Sequence, residues 1–123
     1  MPSTKLASVD RGHHVLASTE FGQVVVSEDA IVQIVRYSAA ESYGVVALPG
    51  QGFWSRLRSG KKGVDVARRE DGLAIEVRVV VERGLKLAEV ATAVRARVLY
   101  EVERMIGLPI ATLEVHIDKV RGR

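Results

Sequence analysis

The chain has no cysteine, only 5% aromatic residues and three histidines among its 123 residues. Each shortage removes a class of explanation. Without cysteine there is no disulfide framework, no thiolate nucleophile and no thiolate metal site, a usage that fits a reducing cytosol. The apolar runs are only a few residues long, too short to cross a membrane. Residues 1–20 lack the continuous apolar core of an export signal, so a cytoplasmic location is expected. Charge of one sign is also scarce. With 18 basic and 15 acidic residues the net charge is +3, an excess that would favour phosphate or anionic lipid only where it is concentrated.

What is present suits one globular domain. Hydrophobic residues make up 47% and charged residues 27%, close to the average for such domains. Valine does much of the apolar filling and favours sheet. A chain of this size removes roughly two-thirds of its unfolded surface from water, enough for a real core.

The opening segment mixes Ser, Thr, Lys and Gly with the pair His13-His14 and shows no sustained period, so residues 1–20 read as a flexible arm. Gln23 to Val26 reads as a short strand. Ser27 then offers a helix N-cap, followed by Glu28 and Asp29 at the positive end of the helix dipole. The helical pattern continues to about Tyr43, with Ile31, Ile34, Val35, Ser38, Ala39 and Ser42 on one face and Gly44 placed to stop it. Val45 to Leu48 is a further short strand. Residues Pro49 to Gly63, with Gly50, Gly52, Gly60 and Gly63, have the composition of a long connection.

Asp71-Gly72 between two alternating runs predicts a two-residue type I′ hairpin turn. That turn pairs Glu70 with Leu73, Val66 with Val77 and Val64 with Val79, and separates an apolar from a polar face. Leu73, Ile75, Val77, Val79 and Val81 form the inner row of the longer strand. Gly84 ends it, and a second helix follows from about Lys86 to Ile106. Leu87, Val90, Ala91, Val94, Val98, Val102 and Met105 share an arc of about 120°, wide enough to cover a sheet. Arg95 projects into that arc, so it must snorkel, pair, or touch another chain. Gly107 and Pro109 stop the helix, and Leu113, Val115 and Ile117 alternate with Glu114, His116 and Asp118 in a last strand. The fold expected is α/β (α+β sandwich-like), a small mixed sheet of about four to five strands packed by two main helices in the order β-α-β-β-β-α-β.

No catalytic set can be assembled from these residues, so no enzyme activity, cofactor or metal is expected. His116 stands on the outward row of the last strand with no second ligand spaced in sequence to join it. The connection carries Phe53, Trp54, Arg56, Arg58, Lys61 and Lys62, a basic and aromatic mixture able to contact a protein partner or nucleic acid. Gly60-Lys61-Lys62-Gly63 matches the Gly-x-x-Gly loop of KH domains, although that loop joins two helices and here it precedes a strand. A KH-like nucleic-acid-binding domain is therefore the alternative reading. Arg95 completes the set of candidate contact residues.

The second helix, Leu87-x-Glu89-Val90-Ala91-x-x-Val94-x-x-x-Val98, the stretch Val102-Glu103-x-Met105-x-Gly107-Leu108 and the strand Leu113-x-Val115-x-Ile117-x-x-Val120 resemble the alkaline shock protein family of bacterial envelope-stress proteins. The resemblance extends upstream through Gly22-x-Val24-x-Val26-Ser27, Gly44-Val45 and Gly63-Val64-x-Val66, so that residues 21–123 form a single alkaline-shock-type domain. It implies a non-enzymatic cytoplasmic protein of bacteria that serves cell-envelope homeostasis as an adaptor or scaffold. The partner implied is a protein, membrane-anchored in some relatives, which recruits the family member to the inner face of the cell membrane. Self-association into a homo-oligomer is compatible with the exposed sheet edges.

Overall fold

A computed structural model describes residues 13–49 and 63–122. The element order is β1 (His13–Thr19), β2 (Gly22–Ser27), α1 (Glu28–Ala40), β3 (Val45–Ala47), β4 (Val64–Arg69), β5 (Gly72–Glu82), α2 (Leu87–Met105) and β6 (Ile110–Arg121). Two helices and a mixed four-stranded sheet are present as the periodicities require. The first strand corrects the expectation of a flexible arm through residue 20. His13–Thr19 pairs antiparallel with β2, His14 opposite Val26 and Thr19 opposite Gly22, as a separate two-stranded sheet. Its sequence, HHVLAST, has too few apolar residues to show a period, and pairing with β2 supplies the order that composition does not.

The main sheet is built around β5. On one edge β4 lies antiparallel to its first half and β3 to its second, while β6 runs parallel along the other edge. Such a parallel neighbour needs a crossover, and α2 provides it. The hairpin between β4 and β5 differs from the predicted one. Arg69 pairs with Gly72, which makes Glu70 and Asp71 the turn, and Val64 and Val66 face Val77 and Ile75. A type I′ turn would hold Asp71 at positive φ, but no described residue other than glycine adopts one; Gly72 takes φ 137° just beyond the turn instead. The register moves by two residues, an even step, so every side chain keeps its expected face.

Helix α1 begins where Ser27 accepts a hydrogen bond from the Ala30 amide at 3.1 Å, the N-cap expected from the sequence. It ends at Ala40, three residues sooner than its periodicity suggested, because the Glu41 and Ser42 amides close the last turn on Tyr37 and Ala39. Gly44, at φ 83°, turns the chain into β3 rather than capping the helix.

Both helices pack on one face of the sheet. Ile31, Val35 and Ala39 of α1 and Val90, Val94, Val98 and Val102 of α2 meet Leu73, Ile75, Val77, Val79 and Val81 in one core. All four α2 valines are fully buried, spaced i, i+4 so that each sits one turn above the last. Burying a valine stabilises by about 1.5–3 kcal/mol, so this stripe is a major anchor of the helix. The borders of the predicted arc behave differently: Leu87 and Met105 are 44% and 55% exposed, because the buried stripe runs on from Val102 to Ile106 and both residues lie beside it. No helix among the described residues is long and apolar enough to cross a membrane.

Candidate functional site

The flanks of α1 and α2 that border their buried stripes leave a groove of about 720 Å³ between them. Ile34, Tyr37 and Ala40 line it from α1, and Arg97, Glu101 and Met105 from α2. These residues recur at steps of three and four, so each helix contributes one continuous wall. The small side chains Ala30 and Ala40 give the groove its depth.

One ion network fixes its rim. Arg97 Nη2 donates to Glu41 Oε1 at 3.1 Å and Arg97 Nε lies 3.5 Å from Glu101 Oε2, while Arg104 Nη2 donates to Glu101 Oε1 at 2.8 Å. Exposed pairs of this kind contribute at most about 1 kcal/mol each; their effect here is to hold the two helix flanks in one geometry. Glu41 also hydrogen-bonds Tyr37, and this bond followed by the carboxylate's charge raises the Tyr37 phenol above its ordinary pKa. The Arg104 guanidinium lies over the Tyr100 ring, 5.8 Å from its centroid, within cation–π reach. Tyr37 nevertheless keeps 67% of its surface exposed. Apolar surface is thus held open beside fixed charges.

The residues proposed from sequence fall in two places. Phe53, Trp54, Arg56, Arg58, Lys61 and Lys62 lie outside the described residues, as does the Gly-x-x-Gly segment except for Gly63. Arg95 pairs: its Nη1 donates to the Leu113 carbonyl of β6 at 2.6 Å, a charge-assisted bond that ties the crossover helix to the strand it delivers. Tyr37 and the groove face of Met105 were not legible as site residues. Met105 fits the apolar period of α2, but it lies beside the stripe that Val102 and Ile106 continue.

Two histidines are placed unexpectedly. His14 is buried at 1% exposure, its Nδ1 3.5 Å from Arg68 Nη1 and its Nε2 without a hydrogen-bond partner among the described residues. Burial lowers its pKa most, Arg68 and His13 lower it further, and Glu28 opposes them. His116 does not stand alone: its Nε2 is 3.2 Å from both Glu76 Oε2 on β5 and Glu114 Oε1 on its own strand.

The solved MamM CTD is similar to this arrangement in fold. That structure aligns with a TM-score of 0.54 at 16% identity, over 78% of this chain and 95% of its own, a likeness of fold. Residues 17–122 match the model of the alkaline shock protein family, described as having a cell envelope-related function, and the chain belongs to that family. Among its relatives is the uncharacterized protein Spy1614 of Streptococcus pyogenes serotype M6, 30% identical over 87% of this chain and 94% of the relative. The uncharacterized protein YloU of Bacillus subtilis is 28% identical over 84% of this chain and 92% of its own length.

Proposed function

We propose that this protein is a non-enzymatic adaptor of cell-envelope homeostasis that works through protein contacts, with the groove between α1 and α2 as its docking surface. The observation that carries this reading is the juxtaposition of exposed apolar side chains, Tyr37 and Met105, with a charged rim. Arg36, Arg97 and Arg104 line the groove with Glu101, and Glu41 joins the ion network at its edge, three cations to two carboxylates. A fitting occupant is an amphipathic segment of a partner protein, with apolar side chains for the floor and carboxylates for the rim. Recruitment by a membrane-anchored partner at the inner face of the cell membrane is part of this reading, and the family's cell envelope-related function supports it.

The test replaces Tyr37 and Met105 by aspartate, singly and together, in a fluorescently tagged chain expressed in its own cells. Both side chains are more than half exposed, so circular dichroism and melting temperature should change little. Loss of an envelope-localised signal in the double variant is the expected result. Unchanged localisation in a folded double variant would remove the groove from the proposal, and a diffuse wild-type signal with no envelope fraction would remove the adaptor role itself.

A further inference from the structure

The face of the main sheet opposite the helices carries polar side chains, and the register of its strands sets them in rows. Asp65 of β4 is paired with Glu76 of β5, and Glu76 with Glu114 of β6. Three carboxylates therefore stand in one cross-strand line, an arrangement that costs free energy because like charges directly opposite repel. Ala67, Ala74 and Thr112 form the adjacent row, and these short side chains leave a depression of about 450 Å³ that reaches Asp65, Glu76 and Glu114. On the other side stands the pair Arg78 and His116. An imidazole nitrogen is thus aimed at the acidic row from a neighbouring position on a rigid strand.

We propose that Glu76, Glu114 and His116 form a binding site for a divalent first-row transition ion of borderline softness, zinc being the type. The donor atoms lie within 4.8 Å of one another, and His116 Nε2 is 3.2 Å from each carboxylate oxygen. A point equidistant from all three is then no more than about 2.4 Å from each, against bond lengths of about 2.0–2.2 Å for zinc to imidazole and carboxylate. Small side-chain rotations close the difference. One nitrogen and two oxygens leave a fourth position for water or for a donor from another molecule. Neutral imidazole with its proton on Nδ1 is the ligating form, and borderline ions accept this donor set whereas magnesium and calcium prefer oxygen alone.

Arg78 is the group a metal must displace. Its Nη2 donates to Glu76 Oε2 at 3.2 Å, the oxygen nearest His116, while its Nη1 lies 3.9 Å from Asp118 Oδ1. Asp118 is the extra residue at the β6 irregularity, between Ile117 opposite Val79 and Lys119 opposite Val80. It offers the guanidinium a second carboxylate when Glu76 turns to the ion. Arg78 therefore competes for the site, and its charge tunes affinity.

The measurement is isothermal titration of the full chain with zinc chloride at pH 7.5, repeated with cobalt(II) to read the visible absorption of the bound ion, in a buffer that does not chelate. One ion per chain is expected. His116→Ala and Glu76→Gln should each weaken binding at least tenfold, and Arg78→Gln should strengthen it several-fold by removing the competitor. His13→Ala should leave binding unchanged. All four positions lie on exposed or half-exposed surface, and circular dichroism confirms folding of each variant. Absence of saturable binding at 100 μM zinc would overturn the proposal. So would binding that survives His116→Ala or disappears with His13→Ala, which would place the ion on the His13-His14 pair.

Discussion

His14 shows how much one buried side chain can do to a stability profile. Folding lowers its pKa from the ordinary histidine value of 6.5, so the neutral imidazole is the form the folded chain prefers. Above that ordinary value neither folded nor unfolded chain carries the proton and nothing is lost. As the pH falls below it the unfolded chain takes up a proton that the folded chain resists, and stability declines until the lowered folded pKa is reached. Urea unfolding at pH 7.5 and 5.5 is expected to show a drop for the wild type. His14→Gln should shrink that drop, and an undiminished drop would assign the acid sensitivity to other groups. The sequence held no clue to this. A histidine beside another histidine in a polar segment looks exposed, and only the pairing of His14 with Val26 beneath Arg68 encloses it.

At the scale of elements, the two helices start with unequal quality. Helix α1 has its Ser27 cap, whereas α2 begins after Lys86, which makes no side-chain capping bond, and a lysine there also meets the positive end of the dipole. Glu89 already occupies the third helical position. Lys86→Ser would complete a Ser-x-x-Glu capping box and is expected to stabilise the protein by about 0.5–1 kcal/mol. Differential scanning calorimetry would register this as a rise of a few degrees in Tm. The elements were also the most legible part of the sequence. Their inner faces follow from the valine period of α2 and the alternation of β5, because burial on one side leaves a regular trace. The Glu76, Glu114 and His116 cluster left only part of one. Glu114 and His116 share the outward row of β6 two residues apart, as the alternation of that strand predicts, but Glu76 joins them only through the parallel register of β5 with β6, which a crossover helix sets and no local pattern encodes. The groove was hidden for a related reason: it is made of the borders of two helices whose mutual packing follows from the core, not from either period alone.

For the whole molecule, the division of faces is the organising fact. Helices cover one side of the sheet and leave the other side polar, so a docking surface and a candidate ion site lie on opposite sides of one valine-rich core. Substitutions on either face should therefore act independently, with effects that add. The edge of β5 shared by β3 and β4 carries a last consequence. Ala47 is opposite Val80 and Val64 opposite Val77, so the chain leaves this edge and returns to it three residues away. The point of return is tight: a Cβ on Gly63 would sit 2.6 Å from the Pro49 carbonyl oxygen. Residues 50–62 thus begin and end at one spot on the sheet, and the closure is made by the strands rather than by the segment. Doubling a loop held in this way costs only about 0.6 kcal/mol. Lengthening residues 50–62 by an equal run of Gly-Ser residues should accordingly lower the urea midpoint only slightly. In geometric terms this is a socket: β3 and β4 hold the points of exit and return a fixed short distance apart on β5, whatever length of chain runs between them.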